Sequence, residues 1–166
     1  MNIKTPDDAR AFRDTLGAFA TGVTVVTLPG IDGGGEPIGV TVSSFNSVSI
    51  NPPLVLFSID KSSYSLPAFE AASHYAVNVL EESQEALSNR FAMAGGDKWR
   101  GVDFEGWDTG APILKGALAA FECAAHHQYD GGDHVIFVGR VLRMASLADA
   151  RPLLYVRGHY TRLADD

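Results

Sequence analysis

The run Thr41-Val42-Ser43-Ser44-Phe45-Asn46-Ser47-Val48-Ser49 is dense in hydroxyl groups and is the most unusual stretch of the chain. Hydroxyls and free backbone N–H groups at a strand end suit the polar edge and phosphate of a flat cofactor. An exposed strand with its Thr and Ser turned outward has the same composition. A second cluster, Ser58-Ile59-Asp60-Lys61-Ser62-Ser63-Tyr64-Ser65, leads into a short helix. Lysine, serines and a helix N-terminus are the parts of an anion site, and ordinary capping by Ser65 is the plainer use of them. In Asn89-Arg90-Phe91, at a helix end, Arg90 is long enough to reach a phosphate and Phe91 can pack against a ring.

Two further clusters lie in the C-terminal third. Gly131-Gly132-Asp133-His134 opens a strand. The glycines serve a turn, and His134 stands directly after it at a rim position, where it can contact a nicotinamide or donate to a carboxamide. Tyr155-Val156-Arg157-Gly158-His159-Tyr160 ends the last strand with cationic and aromatic side chains, which also suits a surface strand.

Other chemistries find no support. The chain has no GxGxxG after a strand, no Walker A pattern, no GxSxG elbow and no HExxH. His126 and His127 are adjacent, so strand alternation predicts side chains on opposite faces. Cys123, the single cysteine, reads as a small buried hydrophobe in a strand. No metal ligand set is expected, and a bound organic cofactor is the remaining source of reactivity.

Composition agrees. The 166 residues are 46% hydrophobic and 20% charged, with a formal net charge of -7. Such a surface repels nucleic acid and anionic lipid, so a bound anion must be held by a local pocket. One cysteine cannot form an internal disulfide, and no signal or membrane-spanning run is evident, so a cytoplasmic location is expected.

The elements that must position these clusters are short. Thr5 as cap, Pro6, and the acids Asp7 and Asp8 predict a helix over about 6–20, with Phe12, Leu16 and Phe19 giving one apolar face. Strands are expected over 23–27, 38–45, 54–59, 74–80, 117–128, 134–143 and 152–157. The 54–59 strand reads as apolar on both faces. A turn spans 29–37, helices cover 66–72 and 83–93, and a long structured loop covers 95–115. Short turns join most strands, which predicts a mainly β, antiparallel barrel with peripheral short helices in one domain over 1–166, its barrel at about 21–160.

In this order, the clusters resemble the short-chain flavin reductase family, the reductase components of two-component flavin-dependent monooxygenases. The carriers include 19–27, 41–49, Asn51-Pro52-Pro53, 75–80, Arg90-Phe91, Asp97-Lys98-Trp99, Gly110-Ala111-Pro112, Gly132-Asp133-His134 and Pro152-Leu153-Leu154-Tyr155. The resemblance implies an FMN-binding split β-barrel. It implies FMN or FAD against Gly39, Val40, Thr41, Val42, Ser43 and Ser44. It adds contacts from Ser58, Ile59 and Asp60, from Lys61, Ser63, Tyr64 and Ser65 to the ribityl phosphate, and from Arg90 and Phe91. His134, with Tyr155, Val156, Arg157 and Gly158, would form the side that takes NADH or NADPH. A homodimer and a flavin-dependent oxygenase partner are implied as well.

Overall fold

Glycine, proline and β-branched runs punctuate the chain into short elements, described in the computed structural model for Ile3 and residues 5–30 and 35–164. Along the chain these are α1 (Ala9–Leu16), β1 (Thr21–Gly22), β2 (Thr24–Leu28), β3 (Ile38–Val42), β4 (Asn46–Ser49), β5 (Leu54–Asp60), α2 (Leu66–Ala71) and β6 (His74–Val79). A 3-10 turn (Glu82–Gln84) leads into α3 (Glu85–Ala92). Then follow β7 (Phe104–Gly106), β8 (Pro112–Leu114), β9 (Ala119–Gly131), β10 (His134–Ser146), β11 (Leu154–Val156) and β12 (His159–Thr161). The expected turn at 29–37 joins β2 to β3, although its residues 31–34 lie outside the described ones.

Seven strands form one antiparallel sheet in the order β3-β2-β6-β9-β10-β5-β4. Its two edge strands, β3 and β4, are separated in sequence only by Ser43, Ser44 and Phe45. They are two halves of one bent strand. The first half pairs with β2, from Thr24↔Val42 to Leu28↔Ile38. The second half pairs with β5, from Asn46↔Leu56 to Ser49↔Leu54. The bend thus carries the chain from one edge of the sheet to the other and curls the sheet on itself. Ser44 stitches the seam, its Oγ accepting from Ser58 N–H at 2.8 Å and donating to the Ser58 carbonyl at 3.2 Å. This is the split expected of the barrel.

The curled sheet encloses an aromatic core. Phe57 stacks on Phe137 with centroids 5.2 Å apart, and the edges of Phe69 and Tyr75 close on the Phe57 ring. All four are essentially inaccessible, and burying each such ring contributes about 1.5–3 kcal/mol. Burial alternates along β5, with Val55, Phe57 and Ile59 inward, so the expectation of two buried faces is corrected. One face packs the core, and the other is only partly covered.

Several local expectations change. Asp8, not Thr5, caps α1, its carboxylate accepting from the N–H groups of Arg10 and Ala11. The helix covers only Ala9–Leu16 rather than about 6–20, so Phe19 lies past its end, and Phe12, Leu16 and Phe19 are 50%, 56% and 74% exposed. The chain offers them no core surface. The 95–115 loop contains β7 and β8, paired to each other. The last expected strand breaks at Arg157-Gly158 into the β11–β12 hairpin. His126 occupies a β-bulge opposite the Val138/Gly139 step. A bulge interrupts side-chain alternation, so the His126 and His127 rings lie together with centroids 4.2 Å apart.

Candidate functional site

The seam produces a cleft. β3 pairs with β2 on one side, and residues 58–60 of β5 pair with β10 on one side, at Ser58↔Ile136, Ile59↔Val135 and Asp60↔His134. Where the two strands diverge beyond the Ser44 stitch, their other edges face each other across a space of about 450 Å³. One wall is Val40, Thr41, Val42, Ser43 and Ser44. The other is Ser58, Ile59 and Asp60, continued by Ser62, Ser63, Tyr64 and Ser65. Strand edges without a neighbouring strand present backbone donors and acceptors in alternation, which matches the alternating donors and acceptors along one edge of a flat heterocycle.

The lip comes from the end of α3 and the turn after it: Phe91, Ala92, Met93, Ala94, Gly95 and Lys98. Gly39 sets how close this lip approaches. A Cβ there would stand 2.5 Å from the Phe91 ring and 3.3 Å from Trp99, so only glycine lets α3 pack directly on β3. Thr41 adds a side-chain bond, its Oγ1 donating to the Ser88 carbonyl at 2.7 Å. Lys98 Nζ donates to the Phe91 carbonyl at 3.3 Å, closing the C-terminus of the helix while bordering the cleft. Partial burial holds its ammonium below the usual lysine pKa.

His134 stands on the opposite rim, one residue past the two-residue turn Gly132-Asp133. Gly132 has φ +83°, as the first position of a type II′ hairpin turn requires. The His134 Nδ1 lies 2.7 Å from the Asp133 carboxylate. With Nδ1–H donated to Asp133, Nε2 is the nitrogen left to meet a ligand in the cleft. Asp60 contributes a carboxylate held below its usual range by hydrogen bonds from the Ser62 hydroxyl and N–H.

The cleft therefore gathers Val40, Thr41, Val42, Ser43, Ser44, Ser58, Ile59, Asp60, Ser63, Tyr64, Ser65, Phe91 and His134 from four separate stretches of the sequence. Other expected residues stand elsewhere. Gly39 lies behind the wall as a packing position. Lys61 forms an ion pair with Asp130. Arg90 turns to the Arg100 carbonyl at 3.0 Å. Tyr155, Val156, Arg157 and Gly158 form the β11–β12 hairpin and do not line the cleft of this chain. Several cleft hydroxyls are committed to the protein, Ser44 to Ser58, Thr41 to Ser88 and Ser62 to Asp60, while Ser63 Oγ accepts from Ser65 N–H. The 92–95 turn and Lys98 join the site without having been picked out from the sequence as ligands, whereas Ser62 belongs to the 58–65 cluster that was. A cation just past a helix end, in Asp97-Lys98-Trp99, was the available signal for Lys98.

Cys123 is fully buried, and burial pushes its thiol up to about 12, so it stays protonated and inert, as its sequence setting suggested. No group of three or more metal-ligating side chains is found among the described residues.

A curled antiparallel sheet, split along one seam, with unpaired strand edges facing a cleft and one lysine, Lys98, at its lip, defines a split barrel. Comparison with known proteins agrees: a family model for the flavin reductase like domain matches residues 16–164, and the chain belongs to that family. It is 48% identical to the FMN reductase (NADH) SmoA of Agrobacterium fabrum, over 95% of this chain and 88% of that one. It is 43% identical to the flavin-dependent monooxygenase reductase subunit HsaB of Rhodococcus jostii, over 96% of this chain and 80% of that one. The solved NADH:FAD oxidoreductase SgcE6 of Streptomyces globisporus superposes with a TM-score of 0.93 at 40% identity, covering 100% of this chain and 99% of the other. That oxidoreductase has also been solved in complex with NAD and FAD fragments.

Proposed function

We propose that this chain is an NAD(P)H:flavin oxidoreductase that reduces FMN or FAD and supplies the reduced flavin to a separate monooxygenase. The observation that carries this reading is the pair of unpaired strand edges facing each other across the seam, with His134 on one rim and Lys98 on the other. The residues present fit a flavin. Backbone groups of 40–44 and 58–60 match its hydrogen-bonding edge, and Lys98 with the Ser62 to Ser65 loop offers charge and donors to a phosphate. Bound flavin supplies the hydride acceptor, and the hydride donor is the C4 of a reduced nicotinamide.

The protein's own groups orient and stabilise. Hydride transfer needs no acid or base, so the gain comes from holding the two rings at reacting distance. His134, its tautomer set by Asp133, orients the nicotinamide or its carboxamide. Backbone N–H groups on the two edges stabilise the negative charge that reduction leaves on the flavin. A cleft open to solvent along a seam suits release of reduced flavin to a partner. We also infer a homodimer, since the exposed Phe12, Leu16 and Phe19 are the kind of apolar surface a second subunit covers. A cytoplasmic setting fits the lone buried thiol. No helix among the described residues is long and apolar enough to cross a membrane.

The test is direct. Purified protein is mixed with NADH or NADPH under air, FMN or FAD is titrated in, and loss of the nicotinamide absorbance is followed. Flavin-dependent oxidation well above the protein-free rate supports the reductase. Flavin binding, seen as fluorescence quenching, without nicotinamide oxidation would reduce the chain to a flavin-binding module.

A further inference from the structure

Among the described Phe, Tyr and Trp residues Tyr64 is the most exposed, 90% open to solvent, and it lines the cleft. The core contacts of this segment are made by Leu66 and Phe69 of α2, so the ring at 64 is left outside. The loop that carries it is fixed all the same. The Asp60 carboxylate accepts from Ser62 N–H at 2.7 Å and from the Ser62 hydroxyl. Ser63 N–H donates to the Asp60 carbonyl at 2.9 Å, and Leu66 N–H donates to the Ser63 carbonyl at 3.1 Å. Lys61 N–H donates to the Asp133 carbonyl at 2.9 Å, which ties the loop to the turn that sets His134.

Backbone on both sides of Tyr64 is thus pinned, while its ring supports nothing in the fold. A pre-set loop that holds a bare ring at the mouth of a cleft lowers the ordering cost of a ligand group that lies on it. The place of the ring identifies that group. Ser62 to Ser65 are the residues offered above to the flavin phosphate. FMN ends at that phosphate, whereas FAD continues through a second phosphate and a ribose to an adenine. The nicotinamide dinucleotide carries the same base. An exposed ring beside the phosphate residues stands where such a base begins, and a base stacks on an aromatic face without a hydrogen bond. Met93, 60% exposed on the lip, adds a second apolar side chain at the opening.

We propose that Tyr64 is a stacking platform for an adenine base, supplied by FAD or by the nicotinamide dinucleotide. This role rests on the reductase reading. Tyr64→Ala removes a ring that packs on no core, so Tm should stay within about 2 °C of the parent protein. Dissociation constants for FMN and FAD are read from flavin fluorescence, and KM for NADH is read beside KM for reduced nicotinamide mononucleotide. Loss of one base stack predicts a rise of about five- to fiftyfold for the dinucleotide that supplies the adenine. Its mononucleotide counterpart should move by less than about twofold. Tyr64→Phe keeps the aromatic face and should match the parent. Weakened FAD with FMN unchanged assigns the platform to FAD. Weakened NADH with the reduced mononucleotide unchanged assigns it to the nicotinamide dinucleotide.

Equal losses for a dinucleotide and its mononucleotide, or no loss in either pair, would overturn the platform. So would a Tyr64→Phe variant as weak as Tyr64→Ala, since the hydroxyl would then carry the effect. Parent protein that binds both flavins but oxidises no NADH would overturn the reductase reading alone, and the comparison of FAD with FMN would still decide the role of Tyr64. Parent protein that binds neither flavin would overturn both.

Discussion

The β9–β10 and β11–β12 hairpins both turn on two residues that include a glycine at positive φ, yet only the first delivers a side chain to the cleft. In β9–β10 the turn Gly132-Asp133 ends two long strands, and β10 is bonded to β9 on one side and β5 on the other. The register His134↔Asp60 then dictates where His134 stands, with no contribution from its side chain. In β11–β12 the strands have three residues each and sit in a separate small sheet with β1. That hairpin is held by a two-residue pairing with β1 and by single bonds, to the Gly17 carbonyl and through the Tyr160 hydroxyl to Ser88. Position by sheet register is rigid and insensitive to single side chains, whereas position by pins can be lost one bond at a time.

The largest effect should come from the side chain the rigid hairpin presents. His134→Ala is expected to lower kcat/KM for the nicotinamide nucleotide by about tenfold to a hundredfold, the scale of losing an orienting contact. Flavin binding, measured by fluorescence quenching, should fall far less. Equal losses in both would remove His134 from the nicotinamide side.

Next is the turn itself. Gly132→Ala places a Cβ at φ +83°, which costs about 1–2 kcal/mol and should lower Tm by several degrees in differential scanning fluorimetry. An unchanged Tm would show that this turn is less constrained than its geometry implies. Arg157→Asn acts in the opposite direction on the other hairpin. Asn-Gly is the favoured pair for a turn with two positive φ angles, so a gain of about 0.5–1 kcal/mol in stability is expected from relief at that position. A fall in Tm would contradict the strain of Arg157 at φ +50°.

The smallest effect is acidic. Hydrogen bonds from Ser62 hold the Asp60 carboxyl below its usual range, and the Lys61 ammonium does the same for Asp130 in the β9–β10 arm. A carboxyl whose folded value is depressed contributes stability above its unfolded value, near 3.9, and loses it as pH falls through the lower folded value. Asp60→Asn should therefore flatten the fall of Tm below about pH 4 and leave Tm near neutrality almost unchanged, because the group is exposed. An acid limb identical to that of the parent protein would show that Asp60 carries none of this dependence.

Much of this molecule is legible along the chain because the signals are local. Asn51-Pro52-Pro53, Gly95-Gly96 and Gly131-Gly132 mark real boundaries, since φ restrictions and positive-φ turns are properties of a few consecutive residues. The β-branched run at 24–27 and the apolar 54–59 run become β2 and β5 for equally local reasons. The hydroxyl clusters at 41–44 and 58–65 stand out before any strand is paired, but an exposed strand and ordinary helix capping account for their composition equally well. The α1 segment shows the limit: helical spacing predicts Phe12, Leu16 and Phe19 on one face, but nothing local says whether any surface exists to cover it.

Composition, turn chemistry and the missing nucleophile, phosphate-loop and metal motifs were thus settled by the amino-acid order alone. Only the tertiary structure decided that 40–44 and 58–60 face each other, because that depends on a bent strand closing a sheet between β2 and β5. It also decided that Lys98 rather than Lys61 or Arg90 borders the opening. Lys61 is taken by Asp130 and Arg90 by a backbone carbonyl, and neither partner is near in sequence. Pairings of this kind join residues many positions apart through register and loop closure, and no short window of sequence contains both halves of the contact.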